Sequence, residues 1–149
     1  MAGDRSEDGG RGGGTASSAS LRVLVVDDHV DGAEMLAAML GLSGHETKTA
    51  HNGPDALAVV RAFRPEIVFL DIGLPGMSGY DVARQIRRDS ALVRSVLVAL
   101  TGWGSEDDKR RTKEAGFDFH LTKPIESAAL DDVLRRYMVL RSEPATRGG

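Results

Sequence analysis

Leu21-Arg22-Val23-Leu24-Val25-Val26-Asp27-Asp28 is apolar and largely β-branched from 21 to 26, broken once at Arg22, and then ends on two carboxylates. A short apolar run of this kind, without an alternating polar face, suits a strand covered on both sides of its sheet. Residues 31–42 follow, with Met35, Leu36, Met39 and Leu40 spaced for one helical face, so the local order is strand and then helix.

Working outward, the same cycle recurs. Residues 47–50, ThrLysThrAla, read as a second strand, and AsnGlyProAsp at 52–55 puts Pro54 in the first turn of a second helix whose apolar stripe is Ala56, Leu57 and Val60. Residues 66–70, GluIleValPheLeu, make a third strand, and 79–89 a third helix with Val82 and Ile86 four apart. Residues 95–100 make the fourth strand. A polar, weakly amphipathic helix at 106–114 leads through Ala115 and Gly116 into PheAspPheHisLeu at 117–121, the fifth strand, and Leu130, Val133, Leu134 and Tyr137 mark a fifth helix.

Strands that alternate with helices form a parallel sheet with helices on both faces, because each crossover has to carry one. The fold class is α/β. The most hydrophobic strands, the first, third and fourth, belong at the doubly buried centre, which the flavodoxin-like, doubly wound, five-stranded order 2-1-3-4-5 with five helices provides.

A chain of 149 residues is the usual size of one domain. We place that domain at 21–140, between a glycine- and serine-rich N-terminal tail at 1–20 and a C-terminal tail at 141–149, both expected to be flexible. The GlyGlyArgGlyGlyGly run at 9–14 is no phosphate loop, since neither a strand nor a helix flanks it. No apolar run approaches a membrane span, the N-terminus lacks a secretory signal, and the absence of cysteine suits a reducing cytoplasm. A net charge of -3 gives no basic face for direct nucleic-acid binding.

In an open parallel sheet ligands sit at the carboxyl ends of the strands. Those ends carry Asp27 and Asp28 after the first strand, Asp71 after the third, Thr101 after the fourth, and Lys123 with Pro124 after the fifth. Carboxylates converging there repel one another unless they share a cation. Mg2+ fits best, as a hard ion that takes oxygen ligands; Zn2+ is less apt, with no cysteine and no HExxH spacing. An aspartate in such a site can attack phosphorus, while an ammonium such as Lys123 and a hydroxyl such as Thr101 neutralise the transferring oxygens. His29, His45 and His51 are expected to be surface or loop residues outside any ligand set.

The motifs at 23–28 (ValLeuValValAspAsp), 69–79 (PheLeuAspIleGlyLeuProGlyMetSerGly), 99–102 (AlaLeuThrGly) and 121–125 (LeuThrLysProIle) resemble the response-regulator receiver family of two-component signalling. The resemblance covers about 21–140. It implies that Asp71 is phosphorylated by a histidine kinase or a histidine phosphotransfer protein, and that Asp27 and Asp28 organise Mg2+, with Asp28, Asp71 and the Gly73 backbone carbonyl as ligands. It also implies that Lys123 binds the phosphoryl group, that Thr101 moves toward it on activation, and that the bond before Pro124 is cis.

Three positions depart from the family pattern. His120 stands where an aromatic switch partner of Thr101 is usual, and either swings inward or stays a half-exposed edge-strand residue. Gly73 and Trp103 occupy positions that modulate hydrolysis of the acyl phosphate; Trp103 either shields the phosphoryl group or packs on the surface. The resemblance places output on the fourth helix, fifth strand and fifth helix, near Lys109, His120 and Asp131. The expected protein is a cytoplasmic, stand-alone phosphorelay receiver, monomeric or weakly dimeric, with no room for an output domain after 140. It is a switch and not an enzyme. A phosphatase of the haloacid-dehalogenase type would need a second Asp where Gly73 stands, and an unphosphorylated interaction module would not need the acidic pocket.

Overall fold

The computed structural model describes residues 20–92, 94–102 and 106–142. Most of both expected tails, and Trp103, lie outside the described residues. The element order is β1 (Arg22–Val26), α1 (Val30–Leu42), β2 (Glu46–Ala50), α2 (Gly53–Phe63), β3 (Ile67–Asp71), α3 (Gly79–Arg88), β4 (Val96–Thr101), α4 (Glu106–Ala115), β5 (Phe119–Thr122) and α5 (Ser127–Ser142). All strand pairs are parallel, in the order β2-β1-β3-β4-β5.

Strand alternation divides the core between two faces. Leu24, Val26, Val68, Leu70, Leu97 and Ala99 pack against α2, α3 and α4, whereas Val23, Val25, Ile67, Phe69, Val98 and Leu100 pack against α1 and α5. The three central strands are therefore buried along nearly their whole length, which is why they lack a polar face. The edge strand β2 alternates between exposed and covered positions, and its charged Glu46 blunts an edge that would otherwise recruit other strands.

Local chemistry sets the helix starts. The Asn52 side chain accepts a 2.8 Å hydrogen bond from the Asp55 N–H, and Ser78 and Asp81 form a reciprocal capping box at α3. Gly79, at the start of α3, lies where a side chain would run into the backbone carbonyl of Asp71, so only glycine lets this helix approach the end of β3.

The structure corrects three sequence expectations. Met35 is 68% exposed: the buried stripe of α1 is Ala33, Leu36 and Leu40, three and four residues apart, and Met35 falls a residue to the side of it. The fifth strand begins at Phe119, not 117. Asp118 is drawn off by its carboxylate, which accepts from the Leu97 N–H at 2.9 Å and pairs with Arg87 at 2.7 Å. Helix α5 runs past 140, where Arg141 pairs with Glu66 at 3.4 Å and lies over the Tyr137 ring.

Candidate functional site

The strand ends deliver their side chains to one cleft. Asp27 follows the last residue of β1 and Asp71 ends β3, and both are buried. Lys123 follows β5; its N–H still pairs with the Thr101 carbonyl at 2.7 Å, and the Lys123–Pro124 peptide is cis. From there the Lys123 ammonium donates to Asp27 Oδ2 at 2.8 Å and to Asp71 Oδ2 at 3.0 Å. The other carboxylate oxygens are held by backbone: Asp27 Oδ1 accepts from the His29 N–H at 3.0 Å, and Asp71 Oδ1 from the Gly73 N–H at 2.8 Å.

Burial disfavours charge on all three groups. At Asp27 the Lys123 ammonium and the His29 amide outweigh it, so the carboxyl is held below its ordinary range. At Asp71 burial prevails over the Gly73 amide and Lys123, with the Asp27 charge added to it, and the carboxyl is pushed up. Burial would weaken the Lys123 ammonium, but its hydrogen bonds to Asp27 and Asp71 raise its pKa. One cation thus serves two carboxylates in this cleft, and Asp71 is the less completely compensated.

Asp28 sits at the exposed rim, where its carboxylate, that of Asp27 and the His29 ring offer ligand atoms within 4.8 Å of one another. This geometry goes against the expectation that His29 lies outside any ligand set. The signal was its place directly after the acidic pair at a strand end. His45 and His51 serve the backbone: His45 Nδ1 accepts from the Leu21 N–H at 3.1 Å, and His51 donates from Nδ1 to the Asp27 carbonyl at 2.9 Å. The oxygen-rich set of Asp27, Asp28 and Asp71, one of them under-compensated, fits a hard divalent cation.

Thr101 is not joined to this cluster. Its Oγ1 is buried without a hydrogen-bond partner among the described residues, and it lines a small space with Asp108, Lys109, Thr112 and His120 on the α4 side of the sheet. His120 is an exposed residue of β5 that borders this space. Trp103 lies outside the described residues.

The response regulator receiver domain family matches residues 23–135. The chain belongs to this family. It is 39% identical over 118 residues to the phosphate regulon transcriptional regulatory protein PhoB of Pseudomonas aeruginosa, across 76% of this chain and 52% of PhoB. It is 35% identical over 109 residues to protein PilH of the same organism, across 73% of this chain and 90% of PilH. The chain thus spans about half the length of PhoB but most of PilH. Among solved structures, the receiver domain of the sensor histidine kinase PA1611 from P. aeruginosa PAO1, with magnesium ion coordinated in the active site cleft, matches with a TM-score of 0.73 at 27% identity over 79% of this chain and 97% of that one. Receiver domains are the signalling modules of two-component systems, and they typically bind Mg2+ at an acidic pocket. No helix among the described residues is long and apolar enough to cross a membrane.

Proposed function

We propose that this chain accepts a phosphoryl group on Asp71 from a histidine kinase or a histidine phosphotransfer protein and passes the signal on through protein contacts. The observation that carries this reading is the Lys123 ammonium shared between Asp27 and Asp71 at 2.8 and 3.0 Å, at the carboxyl ends of three strands. It puts beside Asp71 an ammonium that can pass to a phosphoryl oxygen, in a cleft whose remaining negative charge a divalent cation would balance. Asp28, Asp71 and the Gly73 carbonyl would ligate Mg2+, with Asp27 organising it. Bound there, the ion supplies positive charge against the transferring phosphoryl oxygens.

A carboxylate oxygen of Asp71 attacks phosphorus as the bond from phosphorus to the donor's imidazole nitrogen breaks, and the electron pair stays on that nitrogen. Lys123 follows the incoming charge from Asp71 Oδ2 to a phosphoryl oxygen. The raised pKa of Asp71 makes it the more basic of the two paired carboxylates, which suits a nucleophile. Thr101 holds a buried hydroxyl without a partner among the described residues, a state that costs about 1–3 kcal/mol. A phosphoryl oxygen relieves that cost if Thr101 turns toward the cleft, which would empty the space it shares with His120 and let the imidazole follow.

Lys109 on α4, His120 on β5 and Asp131 on α5 are all exposed, so the face they share is available for output. A histidine kinase carrying radiolabelled phosphate tests the reading. Label should pass to this chain in Mg2+ and not in EDTA; label that stays on every kinase offered would argue for an unphosphorylated module.

A further inference from the structure

His29 contributes little to the fold. It occupies the N-cap of α1, where Ser, Thr, Asp or Asn would give the first helical amides an acceptor, and its side chain makes no capping bond. The side chain is 81% exposed, and Nδ1 stands 3.7 Å from Asp27 Oδ1 and 4.0 Å from Asp28 Oδ1. Asp27 Oδ2 is held by Lys123 and Oδ1 accepts from the His29 N–H, so the carboxylate that faces the His29 ring is fixed in place.

These distances are close to those of ligands sharing one ion. Two donors bound about 2.0–2.2 Å from a tetrahedral zinc ion stand about 3.4 Å apart, a few tenths of an ångström nearer than the two pairs here. Rotation of an exposed ring closes that difference. Mg2+ draws on oxygen ligands and gains little from a ring nitrogen, whereas imidazole suits zinc and the later transition metals.

We propose that His29 makes the acidic cleft a site for a divalent transition cation of the zinc class, held by Asp27, Asp28 and the His29 ring in competition with Mg2+. This rests on the reading above that Asp27 and Asp28 organise a divalent cation, and adds the residue that sets which cation is preferred. The set leaves Asp71 out, so zinc bound there displaces Mg2+ without covering the phosphoacceptor.

Calorimetric titration of the full chain with MgCl2 and with ZnCl2 tests it, scoring only the zinc that excess Mg2+ displaces, because His45, His51 and His120 can bind zinc on their own. His29→Ala should weaken that zinc component about tenfold or more while changing Mg2+ affinity less than about twofold. His29→Ser, which restores an N-cap acceptor, should do the same and shows that the effect is not one of folding. Asp28→Ala should weaken both metals. Zinc affinity unchanged in both His29 variants, a parallel fall in zinc and Mg2+, or no Mg2+-displaceable zinc would overturn the proposal. If Asp28→Ala changes neither metal, the shared-cation reading of the cleft fails and the proposal falls with it, whereas failure at His29 alone leaves that reading intact.

Discussion

Polar residues at the strand ends divide into those already satisfied and those without a partner among the described residues. Lys123 is of the first kind, with a carboxylate on each side. Lys123→Met leaves Asp27 and Asp71 facing each other without their cation. Urea unfolding in EDTA should show a loss of about 1–3 kcal/mol, below the cost of breaking a fully buried pair because Lys123 is partly exposed. Thr101 is of the second kind. Thr101→Val replaces an unpartnered buried hydroxyl by a methyl of similar size, so the resting protein should be unchanged or more stable by up to about 1 kcal/mol in the same assay. On phosphorylation, amide chemical shifts in α4 should change in the wild type and stay unchanged in Thr101→Val. The positions of these residues were legible in the sequence, because each terminates an apolar strand. Their pairing was not: nothing in the spacing says that Lys123 bridges two carboxylates while Thr101 faces the other side of the sheet.

At the scale of elements, the approach of α3 to the end of β3 holds Asp71 in place. Gly79→Ala drives a methyl into the Asp71 carbonyl and should destabilise the fold by about 1–3 kcal/mol, read from the urea midpoint. Gly41→Ala is its control. Nothing stands within 4 Å of a side chain there, and alanine within α1 should stabilise by up to about 1 kcal/mol. Apolar runs located the central strands, which are buried on both faces, and apolar stripes located the helices, which are buried on one. These patterns missed where long-range side chains intervene: Asp118 shortens β5 by taking the Leu97 amide and Arg87, and Arg141 extends α5 through Glu66, partners that are distant in sequence. The face of α1 was misjudged at Met35 because methionine is apolar wherever it lies, and only packing separates the stripe of Leu36 and Leu40 from its neighbour.

For the whole molecule, the parallel sheet concentrates charge at one edge, and stability there depends on pH and on cation. Asp71, with its carboxyl pushed up, contributes most to stability when protonated and loses that contribution as pH rises through its raised pKa. Asp27, held low, does the reverse: its contribution is present above its unfolded pKa and is lost as pH falls through the lower folded value. On the proposed reading, Mg2+ competes with the proton on Asp71. The gain in Tm on replacing EDTA by MgCl2 should therefore be largest near neutral pH and disappear as pH falls through the carboxylate range, by calorimetry at a series of pH values. Sheet order and the location of the cleft followed from the sequence because burial on both faces fixes which strands are central. The closeness of the His29 ring to two carboxylates did not, since it depends on how the chain turns after β1.

Phosphorylation at a single aspartate is the centre of this account, and site-resolved mass spectrometry after incubation with acetyl phosphate and Mg2+ tests it directly. The account predicts one phosphoryl group per chain, on the peptide that carries Asp71, absent in EDTA and absent in Asp71→Asn. Equal labelling of Asp71→Asn, or a phosphoryl group mapped to another residue, would contradict it.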